Sequence, residues 1–164
     1  MGYSIAPSVG ISVIQNDSTA LALTDVTATK TYSGLTFSAA KAYRITLWVK
    51  ATSASCIITP TLKVSDGTTA TTLVADASES LSSSGVTMFQ YLIHAENSAT
   101  LTVANVFYSD TRNSTQTFKT TGTRVTLGGA LSWTDQTIIS IDLICSAADT
   151  GSCNRVIIEE ITQA

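Results

Sequence analysis

Apolar and polar residues alternate with a period of two along most of this chain, and no long stretch repeats its apolar residues at helical spacing. Between Tyr43 and Lys50, Tyr43, Ile45, Leu47 and Val49 fall on one side, and Arg44, Thr46, Trp48 and Lys50 on the other. Side chains on a pleated strand must divide in this way. Comparable runs cover Val9–Gln15, Ala20–Thr24, Val26–Tyr32, Ile57–Ser65, Thr71–Ala75, Val86–Ala95, Thr100–Ser109, Thr123–Ser132, Thr137–Cys145 and Arg155–Thr162. They are rich in Val, Ile and Thr, whose branching at Cβ restricts χ1 in a helix and packs well on a pleated surface. Asp66-Gly67, Ser82–Gly85, Asp110–Ser114 and Ala147–Ser152 separate the runs with turn-forming residues.

So many short strands exceed one flat sheet. The expected fold is an all-β, jelly-roll-like antiparallel β-sandwich with little or no helix. Residues 1–18 form an arm or first strand in this reading, and residues 19–164 the sandwich domain. The one place for a turn of helix is Asp76–Leu81, where Asp76 and Glu79 have capping-box spacing. Gly128-Gly129 lies inside a β run and predicts a bulge or a close backbone approach.

Several runs are apolar on both sides. In Val86–Ala95, Phe89, Tyr91 and Ile93 share one face, while Val86, Met88 and Leu92 lie on the other. In Thr137–Cys145, Ile138 and Ile144 oppose Ile139, Ile141 and Leu143. A two-sheet sandwich needs one apolar face per strand, so the second must be covered, either within the chain by a loop or the N-terminal arm, or by another subunit.

Composition favours the second cover. Only 13% of the 164 residues are charged, 44% are hydrophobic, and Ser and Thr supply about 30%. A typical soluble domain is about one-quarter charged. A net charge of −3, with no gathering of Lys and Arg among aromatics, argues against nucleic acid as a partner. No apolar run approaches the roughly 20 residues that span a bilayer, so no membrane insertion is expected, and Met1–Gly10 lacks the features of an export signal.

Candidate chemistry is sparse. Cys56, Cys145 and Cys153 are too few for a disulfide-built scaffold. Either all three remain thiols, or Cys145 and Cys153 pair across a hairpin through Ser146–Ser152. The single histidine, His94, lacks a local nucleophile or orienting acid and reads as a strand residue at an edge or subunit contact. Glu159 and Glu160 point to opposite faces of a strand, which prevents them from sharing a substrate as an acid/base pair. Metal-site spacing and a phosphate loop are missing, so neither a metal nor a cofactor is expected, and the chain does not read as an enzyme. Asn16 and Asn113 head glycosylation sequons, relevant only to a secreted eukaryotic protein.

Trp48 is the leading binding candidate, an indole on the outward side of its strand beside Arg44 and Lys50, suited to a subunit contact or to stacking on a sugar. Trp133, near Asp135, is the second. Met88 and His94 complete the set of candidate contact residues.

Three segments carry a resemblance. Tyr43-Arg-Ile-Thr-Leu-Trp-Val-Lys-Ala51, then Gly85–Ala95 leading into Thr100–Val103, then the closing Arg155–Ile161, resemble the strand order of carbohydrate-binding-module-like jelly rolls, which recur in tailed-phage virion proteins. The similarity spans about residues 30–162. It implies a capsid decoration or cement protein, or a tail adhesive subunit, located in the virion and assembled in the host cytoplasm. The implied partners are other copies of the chain, most simply as a homotrimer, and a major virion protein; the alternative is a module that binds cell-surface glycan. The chain departs from the pattern in having Met88 and Phe89 where such modules often carry a Trp, and in lacking an acidic cluster for calcium.

Overall fold

The computed structural model describes residues 10–52, 55–75, 79–82, 86–109, 117–128, 131–146 and 150–162. In chain order the strands are β1 (Gly10–Asp17), β2 (Leu21–Leu23), β3 (Ala28–Tyr32), β4 (Lys41–Ala51), β5 (Ser55–Ser65), β6 (Ala70–Ala75), β7 (Glu79–Ser82), β8 (Val86–Ala95), β9 (Thr100–Ser109), β10 (Thr117–Thr126), β11 (Ile138–Cys145) and β12 (Gly151–Thr162). Among the described residues the one helical segment is a 3-10 turn, Trp133–Asp135.

The strands build two antiparallel sheets, so the expected all-β sandwich is the observed fold. One has seven strands in the order β1-β12-β4-β8-β9-β10, with β2 also paired to β12. The other has five in the order β3-β11-β5-β6, with β7 also paired to β5. Alternation places Tyr43, Ile45, Leu47, Val49, Phe89, Tyr91 and Ile93 from the first sheet against Ile58, Leu62, Val64, Ile139, Ile141 and Leu143 from the second, all buried. Burying a side chain of this size stabilises the fold by about 1.5–3 kcal/mol. Asp66-Gly67 makes the predicted turn. Gly67 has φ +94°, and the Asp66 carboxylate accepts from the backbone N–H groups of Thr68 and Thr69, both at 2.7 Å.

Four expectations change. Leu81 lies in strand β7 opposite Cys56 and is buried. Pairing with β5 therefore wins over local capping chemistry at Glu79–Leu81, while Asp76 lies outside the described residues. The strand expected at Thr123–Ser132 runs earlier, over Thr117–Thr126. Gly128 lies after it, with no atom within 4 Å of where a Cβ would sit, so neither bulge nor close approach is needed there; Gly129 is not described. Pro60 sits within the inner strand β5, a place that normally excludes proline. It is accommodated opposite the break between β6, which begins its pairing at Thr61, and β7, which ends at Ile58.

The fourth concerns the cysteines. Cys145 is bonded to Cys56 on the neighbouring strand, with Cα atoms 6.2 Å apart, and Cys153 is a buried free thiol. The hairpin pairing fails because β11 and β12 belong to different sheets, so the chain between them crosses the sandwich. Where β12 begins, Gly151 lies close to this bond. A Cβ there would stand 3.0 Å from the Lys50 carbonyl oxygen, so that the backbone would have to give by a few tenths of an ångström, and in ordinary contact, at 3.5 Å and 3.6 Å, with the two bonded sulfurs.

Among the described residues, one charged side chain is buried. Lys30 is 8% exposed and its Nζ donates to Asp17 Oδ2 and to the Thr19 carbonyl, both at 2.5 Å. Tyr32 Oη also donates to Asp17 Oδ2, at 2.8 Å. The Lys30 bond, with the Thr19 N–H, holds the Asp17 carboxyl well below the usual carboxylate range. Burial pushes the Cys153 thiol up to about 11, so it stays protonated and unreactive at neutral pH.

Candidate functional surface

The outward face of the seven-stranded sheet carries most of the predicted contact residues. On β4 the outward positions are Ala42, Arg44, Thr46, Trp48 and Lys50; on β8 they are Val86, Met88, Gln90, Leu92 and His94. Register sets their neighbours. Trp48 lies between Met88 on β8 and Arg155 on β12, and Lys50 lies opposite Val86.

Arg155 reaches this face through a bulge. Gly151 and Cys153 point inward on β12, and uninterrupted alternation would turn Arg155 inward too. The register shifts between Cys153 and Arg155. This extra residue reverses the parity, sending Val156 and Ile158 to the core and Arg155 outward. The Arg155 guanidinium then stands 5.6 Å from the Trp48 ring centroid, within cation–π range. Its Nε donates to Asn16 Oδ1 on β1 at 3.3 Å. Asn16, Arg155, Trp48 and Met88 therefore connect four adjacent strands.

The other candidates separate from this row. Arg44 is engaged by Glu159, with Nε 2.6 Å from Oε2, and this carboxylate holds the guanidinium further into its charged form. Glu160 turns to the opposite side and takes Lys41 at 2.5 Å and the Tyr43 hydroxyl at 3.4 Å, so the two glutamates do point apart and are bridged. His94 is exposed between Ala42 and Thr102. It is six residues from Met88 along β8, or about 20 Å at strand spacing, and β8 lies inside the sheet, so His94 is not at an edge. Trp133 is not a surface residue at all. It is fully buried, stacked on Phe37 with centroids 4.4 Å apart and edge-on to Tyr43 at 5.8 Å. The capping box between Ser132 and Asp135 turns it inward.

The outward face also holds Val86 at 45% exposure and Leu92 at 41%, and the edge strand β1 adds Ile11 and Val13. Among the described residues, no group of three metal-ligating side chains exists, and no helix is long and apolar enough to cross a membrane. No family model, curated protein or solved structure matches the chain.

Proposed function

We propose that this chain is a non-enzymatic structural virion protein, a capsid decoration or cement subunit or a tail adhesive subunit. It works through contacts with its own copies, expected as a trimer, and with a larger virion protein. The observation that carries the reading is the outward face of the seven-stranded sheet, where Trp48, Met88, Val86 and Leu92 lie on a strand pair that needs only its inner face for folding. Exposed apolar surface of this kind marks an interaction site, and an aromatic residue with a neighbouring Arg is the usual anchor of such contacts. The Cys56–Cys145 bond suits a particle that leaves the reducing cytoplasm, since disulfides persist on virion surfaces.

The alternative, a glycan-binding module, rests on the same Trp48. Stacking on a sugar needs an open ring face, and Arg155 already stands over the indole. Assembly is therefore the better-supported reading.

Light scattering coupled to size-exclusion chromatography tests it, alongside a glycan array. The wild-type chain is expected to run as an oligomer, and Trp48→Ala to shift toward the monomer with an unchanged β circular-dichroism spectrum. A wild-type monomer at high concentration with a glycan signal lost in Trp48→Ala would replace the assembly reading with the glycan one.

A further inference from the structure

Five of the described Lys and Arg side chains have carboxylate partners: Lys30 with Asp17, Lys41 with Glu160, Arg44 with Glu159, Lys63 with Asp142 and Arg124 with Glu96. Among the described residues, the cations left without one are Lys50 and Arg155. Both flank Trp48. The same reckoning on the acidic side leaves one carboxylate. Asp66 is taken by the N–H groups of Thr68 and Thr69, and Asp135 by that of Ser132. Among the described carboxyl groups, Asp25 alone has no hydrogen bond or ion pair.

Asp25 stands next to Val26, which at 68% is the most exposed large hydrophobic side chain described. The turn that presents the two is held in shape. The Thr24 carbonyl accepts from the Cys145 N–H at 2.8 Å, and Thr24 Oγ1 accepts from the Val26 N–H at 3.3 Å. Cys145 is itself tied to Cys56. An acid and an apolar side chain are thus displayed together on a supported turn, while two cations and an apolar aromatic surface wait elsewhere on the same molecule.

We infer that the Asp25-Val26 turn of one copy seats on the Trp48 surface of a second copy, with Asp25 between Lys50 and Arg155, and Val26 against Trp48, Met88 and Val86. The inference rests on the assembly reading above and names the occupant of that surface. Charge complementarity selects the occupant, because a basic or neutral segment would leave both cations unpaired. A supported turn loses little freedom on docking. The contact joins two different surfaces, so it is head-to-tail and closes into a ring where the rotation allows, as the expected trimer requires.

Charge reversal on the full chain tests this by sedimentation and light scattering. Asp25→Lys and Lys50→Glu should each weaken association about tenfold or more and make the remainder less sensitive to salt, with the fold intact by circular dichroism. Val26→Ser should weaken it without altering the salt dependence. The decisive step is mixing. Asp25→Lys keeps a sound Trp48 surface, and Lys50→Glu keeps a sound turn, so an equimolar mixture should form a heterodimer that neither variant forms alone. An oligomer that survives both reversals, or a mixture that stays monomeric, overturns the seating while leaving the outward face as an interface for something else. A wild-type chain that is monomeric at all concentrations overturns the seating and the self-association reading together.

Discussion

The outward faces of the two sheets differ, although their inward faces are alike. On the five-stranded sheet the outward side chains include Thr29, Thr31, Lys63, Ser140 and Asp142. They bond to one another: Lys63 Nζ lies 2.5 Å from Asp142 Oδ2, and Thr29 Oγ1 lies 2.7 Å from Asp142 Oδ1. Among the described residues, Ile57 is its one exposed large hydrophobic residue, with Ile138 and Ile144 half-buried beside this polar network. Ile11, Val13, Val86 and Leu92 are exposed on the seven-stranded sheet, together with half-buried Trp48 and Met88. A face whose polar groups satisfy each other is finished as a water-facing surface. One whose apolar groups remain in solvent gains free energy when covered. The proposed contact surface is therefore placed on the seven-stranded sheet, which exposes more large apolar side chains than its neighbour.

The two tryptophans sharpen this contrast most. Trp133 is packed in the common interior, and Trp133→Ala should cost about 3–5 kcal/mol in chemical denaturation. Trp48→Ala should cost about 1 kcal/mol, mainly the Arg155 contact and partial burial, and should act on association instead. Equal losses of stability would mean that the outward face is structural and would break the comparison.

The disulfide gives the next largest effect. It closes a chain segment of 89 residues within the five-stranded sheet, and the seven-stranded sheet carries only the thiol of Cys153. Replacing Cys56 and Cys145 by Ala should lower stability by about 2–5 kcal/mol in chemical denaturation. Thiol titration of the native wild type should find Cys153 unreactive at pH 8, and one thiol per chain after unfolding without reductant.

Much of the fold is legible in the sequence because burial enforces alternation. Tyr43–Val49 and Phe89–Ile93 predict their own inward faces. Thr117–Thr121 is harder, since Phe-Lys-Thr-Thr after Thr117 offers no apolar period and the strand exists by pairing with β9. Glu79–Ser82 is a strand for the same kind of reason, a partner distant in sequence. The site is half legible. Trp48, Lys50 and Met88 follow from alternation, but Arg155 depends on a bulge whose signal is subtle: the inward positions pass from Cys153 to Val156, a step of three where strands step by two. Trp133 misleads because its position near an acidic turn says nothing of the aromatic cluster it forms with Phe37 and Tyr43. The Asp25-Val26 turn is visible in sequence only as a polar break, and its significance arises once every other described carboxylate has found a partner.

The smallest expected effect is also the cleanest control. Asp142 titrates against two influences: burial raises its pKa, and the bonds from Lys63 and Thr29 outweigh that and lower it. A folded pKa below the unfolded value of about 3.9 means the carboxylate contributes stability above pH 4, and this is lost as pH falls through the depressed folded value. Lys63 and Asp142 are 35% and 20% exposed, so solvent screens the pair and Asp142→Asn should cost less than about 1 kcal/mol at pH 7. That difference from wild type should shrink toward zero near pH 2, measured by urea denaturation at each pH. Oligomer mass should not change at neutral pH, because the five-stranded face has already satisfied its own polar groups. If Asp142→Asn weakened association as much as Lys50→Glu, both faces would be interfaces, and a self-bonded polar network could no longer be read as the sign of a surface meant for water.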